Sequence, residues 1–139
     1  MATILVVGGA GYIGSHMVKT LADSGHNPIV FDNLVSGHAD TVDPKRLILG
    51  DLNNSTDINR AFEEHPIDVV MHFASSIEVG ESVTNPRKYY HNNVVNTILL
   101  LDAMIDHQVN KFVFSSSAAV YSFDAQQPLR ETDLVCPGS

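Results

Sequence analysis

The 139-residue sequence contains one cysteine, Cys136, and no tryptophan. A single thiol excludes an internal disulfide and suits a reducing compartment, so a cytoplasmic location is expected. Cys136 stands in a polar tail, either as an incidental residue or as a reactive thiol. Basic charge is scarce: 8 Lys and Arg face 16 Asp and Glu, for a net charge of −8. That balance argues against a nucleic-acid partner. It leaves room for a phosphate ligand, which backbone N–H groups at a helix N-terminus hold without side-chain charge. No apolar run is long enough to span a bilayer, and "MATILVVGG" (1–9) lacks the basic flank of a signal peptide, so no membrane partner is expected. The 7 histidines include no pair at a ligand spacing such as HxxxH, and no metal is expected. What remains is a globular balance, 44% apolar and 17% charged, in a length that suits one domain.

Short apolar runs alternate with helical patterns. "TILVVG" (3–8), "PIVFD" (28–32), "RLILGD" (46–51), "DVVMHFA" (68–74) and "KFVFSSS" (111–117) read as buried strands. Ile13, Met17 and Leu21 recur at helical spacing ahead of Gly25, which predicts a helix that stops there. Asn54 or Ser55 caps a second helix carrying Ile58, Ala61 and Phe62 and closed by Pro66. A long helix is expected from Pro86, with Tyr90, Val94, Ile98, Leu101 and Ile105 on its apolar face. "NLVSGHADTVDP" (33–44) is polar and rich in turn formers, so a loop with at most one helical turn is expected. From Ala118 the pattern becomes loop. Strands and helices in this alternation predict an α/β fold, a Rossmann-like doubly wound parallel sheet of about five strands covered on both faces. Ligands of such sheets bind outside the carboxyl ends of the strands. Here those ends are small or polar: Gly8, Asp32, Gly50 with Asp51, Ala74 with Ser75, and Ser115 to Ser117.

"GGAGYIG" (8–14) joins the first strand to the first helix in either of two registers. One is G-x-G-x-x-G through Gly9, Gly11 and Gly14; the other is G-x-x-G-x-x-G through Gly8, Gly11 and Gly14. Asp32 ends the next strand 21 residues after Gly11. Glycines let the backbone approach a pyrophosphate, the helix N-terminus faces its charge, and Asp32 accepts from both ribose hydroxyls. A carboxylate there repels a 2′-phosphate, so NAD is expected rather than NADP. Asp51 contacts an adenine amino group or caps a helix or turn, and "HFA" (72–74), with Phe73 and Ala74, brings the fourth strand beside the dinucleotide or serves tight packing. Asn92 and Asn93 are poor helix formers in the middle of the expected long helix, and Asn92, off its apolar face, is directed at a ligand or at solvent.

With these residues assembled, the chain resembles the N-terminal half of the extended short-chain dehydrogenase/reductase family, and within it the UDP-glucose 4-epimerase branch. The stretches that carry the likeness are "GGAGYIGSH", "FDNL", "GDL", "HFASSIEVGESVTNPRKYYHNNV" and "KFVFSSSAAVY". The resemblance implies bound NAD, a UDP-sugar substrate and an NAD-binding Rossmann domain over residues 1–139. It implies that Gly8, Gly11, Tyr12 and Ile13 hold the pyrophosphate through backbone N–H groups, Asp32 and Asn33 the adenosine ribose, and Asp51 and Leu52 the adenine, with Gly14 also part of the cofactor site. Asn92 then places the nicotinamide side. Ser115 and Ser116 line the nicotinamide ribose or simply end the strand, and Ser117 is the catalytic serine that hydrogen-bonds the reacting sugar oxygen.

In that family the sugar C4 hydroxyl is oxidised and re-reduced on its other face, with a tyrosine of a Tyr-x-x-x-Lys helix as base. No such pair follows Ser117, since Tyr121 has Ala125 four residues on. Against the family pattern the 139 residues stop about two residues before that tyrosine. The chain is therefore expected to lack the last strands and the substrate lobe, and alone to be inactive. Val7, Asn96, Ala119 and Ser122 stand where the family usually has Thr, Gly, Thr and Gly. An exposed sheet edge on the fifth-strand side invites a homo-oligomer. The alternatives are a non-catalytic NAD-binding module, a scaffold with a relic glycine loop, and part of a nucleotide-sugar dehydratase or decarboxylase.

Overall fold

The computed structural model describes residues 1–122, 124 and 127–136, and Ala125 lies outside them. The apolar runs form five strands: β1 Thr3–Val7, β2 Asn27–Asp32, β3 Leu47–Leu49, β4 Val69–His72 and β5 Phe112–Phe114. All pair in parallel in the order β3-β2-β1-β4-β5. Winding thus starts at the central β1, runs outward through β2 and β3, and returns to place β4 on the other side of β1. This is the doubly wound sheet that the alternation of strands and helices predicts.

The strands are shorter at their carboxyl ends than the apolar runs suggest. Gly50, Asp51, Phe73 and Ala74 leave the strands and line a cleft instead. The polar connection after β2 holds two short 3₁₀ turns, Ala39–Thr41 and Pro44–Arg46, where the sequence pattern suggests at most one. The second exists because Asp43 accepts from the Lys45 N–H and Pro44 fits the first turn.

Helix α1 covers Tyr12–Asp23 and α2 covers Ser55–Glu64, the latter capped by Asn54, whose side chain accepts from the Thr56 N–H. The Asn54 alternative therefore holds over Ser55. Gly25 follows α1 at φ +78°, the left-handed conformation that ends helices. A short helix not evident in the sequence pattern, α3 Val79–Thr84, precedes α4 Pro86–Tyr89. A π-helical turn then spans Tyr90–Val95 and leads into α5, Asn96–Asp106.

β5, expected to be buried, leaves Val113 and Phe114 about half exposed, and Leu49 at the end of β3 is exposed too. The central strands β1, β2 and β4 are covered on both faces. On one, Leu5, Val7, Phe31 and Val70 pack with Ile58 and Phe62 of α2 and Leu100 and Met104 of α5. On the other, Ile4, Val6 and Val30 pack with Val18 and Leu21 of α1 and with Val42 from the connecting loop. Two helix faces differ from the expected ones. In α1 the buried positions are Gly14, Val18 and Leu21, so Ile13 is left exposed toward the cleft. In α5 they are Asn96, Leu100, Ala103 and Met104, while Tyr90, Val94, Ile98 and Ile105 are exposed and Leu101 is half-buried. The physical reason is twofold. "ILLLDAMI" is apolar nearly all round, so two faces satisfy the same period. The π turn also inserts one residue, which rotates α5 by about 100° relative to α4.

This assignment separates two neighbours. Leu100→Ala, at 0% exposure, should cost about 2–5 kcal/mol in urea unfolding, whereas Ile98→Ala, at 51%, should cost well under half of that. Equal losses would contradict the assignment of the buried face.

Candidate functional site

The strand order reverses between β1 and β4, and a cleft of about 590 Å³ opens there, at the carboxyl ends of the strands. Its floor is the glycine turn. Gly8 has φ +78°, and a Cβ on it would lie 2.7 Å from the Ala74 N. A Cβ on Gly14 would fall 2.1 Å from the Gly8 carbonyl oxygen, and one on Gly9 would lie 2.9 Å from the Val6 carbonyl oxygen. Gly11 is less crowded, at 3.3 Å from the Gly8 oxygen. Both glycine registers thus contain positions that only glycine fills.

Gly11 is the N-cap of α1, makes no side-chain cap, and is followed by no acidic residue in the first turn. The N–H groups of Tyr12, Ile13 and Gly14 belong to that turn, which lacks intrahelical acceptors and carries the positive end of the helix dipole. Gly8, Gly11, Tyr12, Ile13 and Gly14 all line the cleft.

Asp32 is 8% exposed and also lines it. Its Oδ2 accepts from the Ala10 N–H at 2.9 Å, and its Oδ1 from the Leu34 N–H at 2.8 Å. The carboxylate therefore ties the glycine turn to the end of β2 and holds Leu34 at φ 58°, an unusual conformation for leucine. A carboxylate has about four lone-pair sites, so two backbone bonds leave capacity for a ligand. Asn33 donates from Nδ2 to Asp51 Oδ2 at 3.1 Å, and Asp51 Oδ1 accepts from the Asn53 N–H at 2.8 Å. Asp51 thus does cap a turn, and it lines the cleft together with Asn33 and Leu52.

The wall beyond Phe73 and Ala74 is held by a buried polar chain. His72 is 1% exposed. Its Nδ1 accepts from the Ala74 N–H at 3.1 Å, which leaves Nε2–H to donate to Thr97 Oγ at 3.1 Å. Thr97 donates in turn to the Asn93 carbonyl oxygen at 2.9 Å. The Asn93 side chain clasps the backbone of Ser76, accepting from its N–H at 2.9 Å and donating to its carbonyl oxygen at 3.0 Å. Asn92 donates from Nδ2 to Asn93 Oδ1 at 2.8 Å and toward the Ala74 oxygen at 3.4 Å, so it faces the cleft rather than solvent. Burial lowers the His72 imidazole to about 4.

Nearer the rim, Lys88 Nζ reaches both Glu81 oxygens at 2.8 Å and the Tyr89 hydroxyl donates to Glu81 at 2.8 Å, clamping α3 to α4. The hydrogen bonds from Lys88 and then Tyr89 hold the Glu81 carboxyl below its usual range. Tyr89 is pushed up to about 12, by desolvation first and its hydrogen bond to Glu81 second.

Two expected residues stand apart. Ser115 and Ser117 do not line the cleft: the Ser115 N–H donates to the His72 carbonyl oxygen at 3.1 Å, and Ser117 Oγ accepts from the Ala119 N–H at 3.1 Å. Sequence reasoning noted Asn93 only as a poor helix former and His72 only as part of "HFA", without their linkage, and missed Thr97 and the Glu81 clamp. A histidine inside an otherwise apolar strand, and an Asn and Thr four residues apart, were the available signals. Among the described residues, no group of three or more His, Cys, Asp or Glu is placed to hold a metal ion, and no helix is long and apolar enough to cross a membrane.

A glycine turn under a helix N-terminus, an acidic residue closing β2 and a cleft at the reversal of strand order make a coherent site, and residues 4–137 match the NAD dependent epimerase/dehydratase family. The chain belongs to that family. It is 47% identical over 134 residues to the UDP-glucose 4-epimerase of Halalkalibacterium halodurans, covering 96% of this chain and 40% of that one. The crystal structure of UDP-glucose 4-epimerase from Brucella ovis in complex with NAD superimposes with a TM-score of 0.86 at 42% identity, covering 99% of this chain and 42% of that one. A Stenotrophomonas maltophila UDP-glucose-4-epimerase, solved with NAD and formylated UDP-arabinopyranose, gives 0.85 at 37% identity and coverages of 98% and 43%. The chain thus spans about 40% of the length of the relatives it matches.

His72 makes stability depend on pH. Between the ordinary 6.5 and about 4, the unfolded chain binds a proton that the folded chain refuses. The stabilisation is therefore complete above pH 6.5 and declines as pH falls toward 4, by on the order of 3 kcal/mol over the interval. In denaturant unfolding, His72→Gln should flatten that part of the pH profile. An unchanged slope would assign the decline to other groups.

Proposed function

We propose that residues 1–139 are the NAD-binding unit of a UDP-sugar 4-epimerase that interconverts UDP-glucose and UDP-galactose by transient oxidation at C4, acting in the cytoplasm. The observation that carries the reading is the glycine cradle: a floor in which added Cβ atoms would meet backbone at 2.1 to 2.9 Å, set under an uncapped helix N-terminus. A diphosphate fits it, because the donors there are backbone N–H groups and no acidic side chain occupies the first turn.

The N–H groups of Tyr12, Ile13 and Gly14 hold the diphosphate. Those of Gly8 and Gly11 are engaged by the Phe31 and Gly8 carbonyl oxygens, and these glycines serve its close approach. Asp32 and Asn33 hold the adenosine ribose, and Asp51 and Leu52 the adenine. Phe73, Ala74 and Asn92 flank the nicotinamide half. Bound there, NAD supplies a reversible hydride acceptor for a sugar carbon. Ser115 serves to end the strand, its N–H donating to the His72 carbonyl oxygen, and Ser117, whose Oγ accepts from the Ala119 N–H, keeps its proton free to donate to the sugar oxygen. Relatives solved with NAD and with a UDP-linked sugar support both ligand classes. These residues contain no Tyr-x-x-x-Lys pair after Ser117, so by themselves they bind dinucleotide without turning over UDP-glucose. Among the described residues β5 pairs on one side only and half exposes Val113 and Phe114, which favours association of a second copy along that edge.

Calorimetry tests the reading. NAD should bind in the micromolar range and NADP at least about 10-fold more weakly, since its 2′-phosphate meets Asp32. Gly14→Ala should weaken NAD by more than about 10-fold, because the Gly8 oxygen must yield. A folded protein that shows no NAD binding would sink the proposal. Dinucleotide binding with no epimerase partner chain or domain in the native protein would favour a non-catalytic module.

A further inference from the structure

Lys88 is the one cationic side chain among the described residues that line the cleft, against the carboxylates of Asp32, Asp51, Glu78 and Glu81. A diphosphate seated on the glycine turn brings further negative charge, and the α1 N-terminus offers only about half an elementary charge against it. The cleft is therefore short of positive charge, and Lys88 is the lining residue that can supply it.

The lysine is placed to move. Its Nζ donates to both Glu81 oxygens at 2.8 Å, which engages two of its three hydrogens. The Lys88 and Glu81 side chains are 49% and 38% exposed, so the pair is solvated and contributes little to stability. Glu81 also accepts from the Tyr89 hydroxyl at 2.8 Å, so it keeps a donor when the ammonium turns away. Lys88 stands one turn before Asn92, which faces the cleft, and its flexible alkyl stem lets the head swing without moving the helix. A pair that served only to clamp α3 to α4 would hold the two helices equally well from outside the cleft.

We propose that Lys88 is an additional cofactor-binding residue, whose ammonium exchanges Glu81 for a phosphate oxygen of NAD. This rests on the NAD reading above. In the free cleft Glu81 holds the ammonium in readiness. In the bound one the diphosphate takes N–H donors from α1 and an ammonium from α4. Glu81 is thus a competitor of the ligand for one cation.

The test is a mutant cycle of Lys88→Gln and Glu81→Gln, read by the NAD Kd from calorimetry at low and high salt. Each substitution breaks the same clamp, so a clamp that acts only on the fold predicts the same loss from both. The exchange predicts opposite signs. Lys88→Gln should weaken NAD binding by about 5- to 20-fold and flatten the rise of Kd with salt, whereas Glu81→Gln should tighten it by about 2- to 5-fold. In the Lys88→Gln background Glu81→Gln should bring no gain, since no ammonium is left to release. Losses of like size from both substitutions, or a Kd for Lys88→Gln within about two-fold of the unmutated protein, would overturn the inference. So would a Glu81→Gln gain of equal size in both backgrounds, the sign of a charge felt at a distance. A Lys88→Gln loss seen with UDP-glucose and not with NAD would overturn it too, by moving the contact to the substrate's diphosphate. Absence of NAD binding by the unmutated protein would overturn the NAD reading along with this one, whereas binding that Lys88→Gln leaves untouched overturns this one alone.

Discussion

The structure depends on a backbone-to-backbone approach at the centre of the sheet. The turn after β1 lies so close to Ala74 after β4, and the start of α1 so close to that turn, that side chains at Gly8 and Gly14 have no place to go. Because the approach is possible, α1 stands over the carboxyl end of β1 with its first-turn N–H groups directed at open space. The buried Asp32 carboxylate locks the arrangement by accepting from Ala10 within the turn. The free N–H donors and the carboxylate that would flank a dinucleotide are thus products of one steric constraint, not separate inventions of the chain.

The opposite wall is built on a different principle. From Ala74 to Ser76 the chain has left the strand and lacks ladder partners, so its polar groups need others. His72, Thr97 and Asn93 supply them in a relay that runs from the strand into the π turn. Each such bond adds only about 1 kcal/mol net, less than one buried leucine, so the relay fixes position more than it adds stability. It works only while the imidazole is neutral, and burial keeps it so.

Much of this was legible in the residues. β-branched runs ending in glycine or aspartate announced the parallel strands, and the glycine turn with Asp32 at its distance announced a dinucleotide cleft. Twelve of the expected site residues, from Gly8 to Asn92, do line that cleft. The helix faces were less legible, because "ILLLDAMI" satisfies the helical period on more than one side. The π turn was invisible, since it depends on how the Asn92–Asn93 pair meets Ser76 and Ala74, a contact across 17 or 18 positions.

The strand order has a consequence for the chain as it is made. β1 is synthesised first but holds the middle of the sheet, and the Thr3 N–H pairs with Asp68, 65 residues later. At ribosomal rates of roughly 5–20 residues per second, one long edge of β1 waits some seconds, on the order of 3 to 13, for β4 to emerge. Through that interval Ile4 to Val7 present a bare apolar ribbon with unpaired amides. The nascent chain is therefore most exposed to misassociation at the very strand that is most protected once the sheet is complete.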